Sequence, residues 1–278
     1  MSSDDAPPES LPTTLVAAKV FTWRGELTDA AGRRVAVETP VQVSFADVPF
    51  AVMMLTPGDL EDFAYGFSLT EGMVQSASDI RKVTLSETAE GVTIRIDLAA
   101  GKLHQHLARQ RAMTGRTGCG VCGIDDLDAL KRAERAATLP PPILIGPVER
   151  ALTALEAKQV LNAATGAVHA AAWADAAGRI LHIREDVGRH NALDKLIGAL
   201  LRAEVEPLSG FIVITSRCSF EMVEKTASFG ARTLVAISAP TSLAIERARK
   251  LDVALIGVAR RDTLTVFTGL DRVRDAQS

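Results

Sequence analysis

The C-terminal third of this 278-residue chain predicts an α/β fold. Three short apolar, β-branched runs, Phe211–Thr215, Thr233–Ile237 and Val253–Val258, alternate with helical stretches, and Leu264–Phe267 adds a fourth strand. Buried strands alternating with helices imply a layered sheet with parallel pairing. A second observation lies upstream, where strand-like alternation surrounds one strongly amphipathic helix, the pattern of an added N-terminal α+β subdomain. A third is Pro140-Pro141-Pro142, a stiff connector between the two regions. The expected division is a disordered tail over 1–14, the α+β subdomain over 15–139, and an α/β/α domain over 140–278.

Val41, Val43 and Phe45 alternate with polar residues, and Phe50–Leu55 follows around Asp47–Pro49, so the two read as neighbouring strands. Met53 and Met54 read as core. Asp59 is placed to cap a helix whose Leu60, Phe63, Ala64 and Phe67 share one face before Gly72 ends it. Ile80–Leu85 and Val92–Leu98 are two more strands, and Leu103–Arg111 is a polar helix. Leu127, Leu130 and Ala133 mark another helix. Val148–Thr165 has helical periodicity. Val168–Trp173 and Arg179–Arg184 have strand character, with a turn at Asp175–Gly178. In the last third, one helix ends at Gly230 and another covers Leu243–Leu251.

Composition narrows the function. A formal charge of −3 leaves no general nucleic-acid footprint, and 4% aromatics argue against base-stacking platforms. No apolar run approaches the roughly 18–20 residues a bilayer requires. The acidic, Pro-rich N-terminus is the opposite of a secretory signal, and three cysteines make no disulfide framework. A cytoplasmic protein is expected.

Two of those cysteines, Cys119 and Cys122, sit in Gly115-Arg116-Thr117-Gly118-Cys119-Gly120-Val121-Cys122-Gly123. Glycine at this density reads as a mobile loop. Arg116 and the helical pattern from Asp125 both favour thiolate, the reactive species. A zinc half-site would want a second Cys or Cys/His pair, and only Cys218 and scattered histidines remain. A redox dithiol would sit at a rigid helix start. Two inert core cysteines would not be flanked by polar residues and glycines. A persulfide carried on the loop suits the segment best.

Three other stretches carry functional side chains. Ser216, Arg217, Ser219, Ser238, Thr241 and Ser242 fall where strands run into helices; they are either helix caps or an anion site at the strand ends. Arg184–Lys195 packs charges, Gly188 and His190 onto the start of a helix, either as a solvated ion-pair cluster or as a ligand-facing turn. His169, among small residues before Trp173, is either a core histidine or a ligand contact. No Rossmann or Walker signature is present.

These segments together resemble the formate dehydrogenase accessory sulfurtransferase family. The resemblance rests on Met53-Met54, Asp59–Gly72, Gly115–Gly123, His169–Trp173, Glu185–Lys195, Ser216-Arg217 with Glu221-Met222-Val223-Lys225, and Ser238–Glu246. It implies a cytidine-deaminase-like α/β/α fold with an added N-terminal subdomain, assembled as a homodimer. It implies a cysteine desulfurase as sulfur donor and the molybdenum bis(guanine dinucleotide) cofactor as acceptor, with formate dehydrogenase as client and no permanently bound cofactor or structural metal. By position, Cys119 is the persulfide carrier and Cys122 its helper or alternate carrier. Val258, Ala259, Arg260, Arg261, Asp262 and Thr263 occupy the cofactor-contacting segment, with Arg261 where a glycine is common. His169, Asp186, Gly188, Arg189, His190, Asn191, Ser216, Arg217, Ser238 and Thr241 complete the expected cofactor site. Two alternatives stand beside this reading. One is a chaperone that binds the cofactor without moving sulfur. The other is a zinc-dependent nucleotide deaminase, although its His-x-Glu and Pro-Cys-x-x-Cys ligands are missing.

Overall fold

Leu15–Trp23 (β1) and Leu27–Ala36 (β2) pair antiparallel in the computed structural model, which describes residues 13–23, 27–99, 133–134, 140–260 and 263–275. This hairpin is additional to the predicted elements, because Leu-Thr-Asp-Ala-Ala-Gly-Arg-Arg carries no clean apolar alternation. Thr39–Phe45 (β3) and Val48–Leu55 (β4) form the expected antiparallel pair. Leu60–Thr70 (α1) follows, then Ile80–Thr88 (β5) and Gly91–Leu98 (β6). The resulting four-stranded sheet runs β4-β3-β6-β5, with β3 and β6 parallel.

Two local expectations are corrected here. Asp59 holds the N-cap position of α1, but it lies in the left-handed region at φ 54 and its side chain makes no capping bond. Its carboxylate turns instead toward Arg184, 3.5 Å away. Met53 is core, whereas Met54 points outward from edge strand β4 and is exposed, since successive strand residues face opposite ways.

The remainder begins with Ile143–Leu144 (β7) and the helices Ile145–Lys158 (α2) and Val160–Thr165 (α3). The predicted single helical stretch is thus two, and Glu185 holds the second in place by accepting from the amides of Leu161 and Asn162, both at 2.8 Å. Then come His169–Asp175 (β8), Ile180–Asp186 (β9), Arg189–Arg202 (α4), Gly210–Ile214 (β10), Phe220–Phe229 (α5) and Thr233–Ala236 (β11). Ser242–Lys250 (α6), Ala254–Gly257 (β12), Thr265–Thr268 (β13) and Val273–Arg274 (β14) complete the order. The large sheet runs β9-β8-β10-β11-β12-β13. Its centre, β10-β11-β12, is parallel as predicted, but β8, β9 and β13 join antiparallel, so the sheet is mixed.

Strand periodicity divides the core. Trp173, Ile212, Ile214, Leu234 and Leu255 pack with buried residues of α1, α4, α5 and α6. Ala172, Phe211, Val213, Val235 and Ile256 turn to the other face and meet Val148, Ala151, Leu152 and Leu155 of α2. The first cluster continues through Phe63 and Phe67 of α1 to Val41, Val43, Phe45, Ile94 and Ile96 of the four-stranded sheet. The architecture is mixed α/β, with one apolar cluster linking both sheets.

Helices α1 and α4 cross with backbones touching. A methyl group on Gly66 would fall 1.8 Å from the Asp194 carbonyl oxygen, and one on Gly198 would fall 1.7 Å from that of Asp62. Ion pairs flank the crossing. Asp62 is buried in α1 and receives Arg184 at 2.6 Å and Arg202 at 2.5 Å.

Candidate cofactor-binding rim

The parallel strands β10, β11 and β12 end at one edge of the large sheet. Antiparallel β8 begins there, and β9, which runs back along it, ends there, with His169 registered against Asp186. Backbone bonds continue this edge past the strands. The Thr215 amide donates to Ala170 O at 3.0 Å, Thr241 to Cys218 O at 3.0 Å, and Val258 to Ser238 O at 3.2 Å. Arg260 donates its amide to Thr263 O at 2.8 Å and its guanidinium to the carbonyl of Ile237. The edge therefore brings together His169, Gly188, Arg189, His190, Ser216, Arg217, Ser238, Thr241, Val258, Ala259, Arg260 and Thr263. Arg261 and Asp262 lie outside the described residues, as do Cys119, Cys122 and the predicted helices over Leu103–Arg111 and from Leu127.

Two of the predicted site residues, Asp186 and Asn191, lie beneath this edge with their polar atoms engaged inside the protein. Asp186 Oδ2 is 2.6 Å from Lys195 Nζ, and both side chains are fully buried. The same oxygen accepts from the Thr56 amide at 2.9 Å. Oδ1 accepts from the Gly188 amide at 2.8 Å and Asn191 Nδ2 at 3.1 Å. Asn191 Nδ2 also donates to Met54 O at 2.8 Å, and Lys195 Nζ to Thr56 O at 2.7 Å. This network fastens the turn before α4 to the end of β4. Deeper still, Lys225 Nζ bonds both oxygens of Asp194 at 2.8 Å and Thr70 Oγ1 at 2.9 Å. The sequence reading named Lys195 only as the end of a charged stretch, and it did not single out its pairing with Asp186, Thr56 or the Asp194–Lys225 pair. The available signal was a charged Asp194-Lys195 step inside the otherwise apolar run Ala192–Leu201.

Above the network the electrostatics change. Burial, with the nearby charges of Arg189 and Lys225, depresses His190 to about 4, so it is neutral at pH 7. Among the described residues its buried Nε2 finds no hydrogen-bond partner, a state that costs free energy unless a ligand or water completes it. Burial and Arg189 also lower His169, against the pull of Asp186. Burial alone would raise Glu221, but Ser219, its own backbone N–H, His190 and Arg189 bring it down. Gly188 and Ser219 begin α4 and α5 without a side-chain cap. Thr241, by contrast, does cap α6, accepting from the Ala244 amide at 3.3 Å. Ser216 is buried and donates to Arg217 O at 3.0 Å. Val258 is exposed at φ 50, a costly conformation for a β-branched residue.

The rim therefore offers the uncapped N-terminus of α4, the cations Arg189, Arg217 and Arg260, a neutral histidine, and the Glu221 carboxylate in the first turn of α5. Such a set favours an anionic ligand with further polar groups. A separate cavity of about 170 Å³, lined by residues including Pro141, Ile143, Gly210, Phe211 and Thr233, opens at the opposite edge, where β10 and β11 begin. Its lining is mostly apolar and holds no such set. Cys218 is fully buried, and burial followed by Glu221 pushes its thiol to about 12. Among the described residues, no group of three or more His, Cys, Asp or Glu side chains is arranged to hold a metal ion.

Residues 36–274 match the model of the FdhD/NarQ family. The chain belongs to the FdhD/NarQ family. It is 46% identical over 260 residues to the sulfur carrier protein FdhD of Bordetella parapertussis, covering 93% of this chain and 94% of that protein. It is 47% identical over 258 residues to the sulfur carrier protein FdhD of Xanthomonas campestris pv. campestris strain B100, covering 93% and 92%. A solved structure described as a formate dehydrogenase accessory protein from Desulfotalea psychrophila shares the fold. Its TM-score is 0.74 at 23% identity, covering 94% of this chain and all of that one. The matched span of the FdhD/NarQ model includes the four-stranded sheet, the rim, and the sequence segment containing Cys119 and Cys122.

Proposed function

We propose that this FdhD/NarQ family member is a sulfurtransferase that carries sulfur as a persulfide on Cys119 to a molybdenum cofactor destined for formate dehydrogenase. One observation carries the reading. Of the three cysteines, Cys218 is sealed in the core with its thiol pushed to about 12, leaving Cys119-Gly120-Val121-Cys122 as the pair for sulfur chemistry. The names of the relatives as sulfur carrier proteins support it.

In the loading step the Cys119 thiolate attacks the outer sulfur of a cysteine desulfurase persulfide. The donor's S–S bond breaks, its thiolate leaves, and a new S–S bond forms on Cys119. Cys122 is the helper or alternate carrier. The acceptor is the bis(guanine dinucleotide) form, whose phosphates suit Arg189, Arg217, Arg260 and the uncapped start of α4. His169, His190, Ser238 and Val258–Thr263 complete its site in this proposal, while Asp186 and Asn191 serve from below by fixing the turn. A cytidine-deaminase-like layering is part of the same reading, supported by the mixed sheet with α4–α6 on one face and α2 on the other. A homodimeric cytoplasmic protein, with segment 15–139 bearing the carrier cysteines and 140–278 holding the cofactor, completes it.

Intact-mass measurement after incubation with a cysteine desulfurase and cysteine is the test. Wild type is expected to gain about one sulfur mass, roughly 32 Da, which a thiol reductant removes. No gain on wild type would end the sulfur-carrier reading and favour the chaperone.

A further inference from the structure

Lys225 Nζ lies 2.8 Å from both carboxylate oxygens of Asp194, and these bonds fix the register between two neighbouring helices. Both helices begin at the rim, α4 after β9 and α5 after β10, so they run away from it in the same sense. His190 stands one helical turn before Asp194, and Glu221 one turn before Lys225. The step toward the rim is the same on each helix, so His190 and Glu221 face each other above the Asp194–Lys225 pair. Their electrostatics agree with this placement. The Glu221 charge acts on His190, and His190 on Glu221. Arg189, Lys225 and His169 are the other charged or titratable groups acting on the histidine.

This pair differs from the cations beside it. Arg189, Arg217 and Arg260 are donors that suit phosphate, whereas an ionised Glu221 repels it. Glu221 is partly exposed, and its bonds with its own amide and with Ser219 use only part of a carboxylate's roughly four acceptor sites. His190 is only 9% exposed, and among the described residues its Nε2 has no partner. A carboxylate set into a phosphate-binding rim calls for a ligand group that donates hydrogen bonds and carries no negative charge. The edge of a 2-amino-4-oxopyrimidine does this with a ring N–H beside an exocyclic amine, and a carboxylate meets the two donors with parallel bonds. Its 4-oxo group, next along the edge, is an acceptor for an imidazole N–H. Adenine presents the opposite pattern there, and a ribose hydroxyl, donor and acceptor alike, has no need of an acceptor-only partner.

We propose that Glu221 and His190 form the subsite of the rim that reads a 2-amino-4-oxopyrimidine edge, Glu221 accepting from its two N–H donors and His190 Nε2 donating to its oxo group. The inference rests on the reading of the rim as the cofactor site. Guanine and pterin share this edge, and the proposed acceptor carries both.

Calorimetric titration at low salt tests it in wild type, Glu221→Gln and Glu221→Asp. The probes are GDP, inosine diphosphate, which lacks only the 2-amino group, 2′-deoxy-GDP, neopterin and inorganic pyrophosphate. Wild type is expected to prefer GDP over inosine diphosphate roughly tenfold or more and to bind 2′-deoxy-GDP like GDP. Glu221→Gln is expected to lose most of that preference yet bind pyrophosphate at least as well as wild type, because a negative charge has left the rim. A merely structural Glu221 would weaken all the probes together. Glu221→Asp, which keeps the charge at shorter reach, is expected to keep part of the preference and carries the test should Glu221→Gln not fold. Binding of neopterin to wild type but not to Glu221→Gln, with GDP and inosine diphosphate equal, assigns the edge to the pterin. Equal affinities for the two nucleotides without neopterin binding overturn the proposal, as does a preference that survives in Glu221→Gln or a loss confined to 2′-deoxy-GDP. A wild type that binds none of the probes removes the rim as the cofactor site itself, and this inference with it.

Discussion

Gly66 and Gly198 face each other at the crossing of α1 and α4, and each occupies the space the other's side chain would need. A methyl group on Gly66 would approach Gly198 N to 2.8 Å, and one on Gly198 would approach Gly66 N to the same distance. The obstructing atoms are backbone, so no rotamer change relieves them.

Gly66→Ala and Gly198→Ala are each expected to destabilise the fold by about 3 kcal/mol, the upper end of the usual cost of overpacking a core, because the clash is with backbone. Thermal or urea unfolding of either variant checks this. A loss below about 1 kcal/mol would mean that the helices part easily and that the crossing does not hold the two sheets together.

The buried Asp186–Lys195 pair yields a sharper comparison. Lys195→Met leaves Asp186 charged and unpaired in the core, a change typically costing about 3–5 kcal/mol. The double variant Asp186→Asn, Lys195→Met removes the charge as well and is expected to be distinctly more stable than Lys195→Met alone. Equal stabilities in the single and double variants would show that Asp186 finds another counter-charge.

His190 makes stability depend on pH in a defined window. Its pKa falls from 6.5 in the unfolded chain to about 4 in the folded protein, so the unfolded state binds more protons between those values. The contribution, up to ~3 kcal/mol, is fully present above pH 6.5 and is lost as the pH falls toward 4. Unfolding measured at pH 7 and pH 5 should show a smaller pH dependence for His190→Gln than for wild type. The same variant is expected to bind the rim ligand more weakly, because Nε2 is the buried group left for a ligand to complete.

Cys119→Ala is expected to abolish both persulfide formation and maturation of formate dehydrogenase while leaving the melting temperature near wild type. Full dehydrogenase activity supported by Cys119→Ser would exclude Cys119 as the carrier.

GDP is the simplest probe of the rim. Saturable binding in calorimetry is expected at low salt, weakening as salt screens the phosphate contacts. Arg217→Ala and Arg260→Ala should each lower affinity roughly five- to tenfold. Absence of binding to wild type at low salt would remove the nucleotide site without touching the role of Cys119.

The sequence revealed elements wherever periodicity and punctuation agreed. Val41, Val43 and Phe45 alternate because one face of β3 is core, and Gly230 stops α5 with a left-handed residue at φ 101. It was silent where stability comes from partners distant in the chain. Asp186 and Asn191 carry the residue types of a ligand site, yet they bond to Thr56 and Met54, some 130 residues earlier. Asp59 has a capping side chain but meets Arg184, because its own backbone sits at φ 54. The turn at Asp175–Gly178 already marked β8 and β9 as a hairpin, whereas the antiparallel joining of β8 to β10 was not legible in strand composition. The convergence of the rim was legible in outline, since strand-end loops of a parallel core must share an edge.

Cys218 gives the protein an internal clock. Its sulfur is shut away from solvent and stays protonated far above neutral pH, so an alkylating reagent reaches it only when the β10–α5 corner opens. The time at which this third cysteine takes up label therefore measures how often the sheet edge beneath the rim comes apart. Comparing that time with and without a bound nucleotide would show whether filling the rim stiffens the scaffold below it.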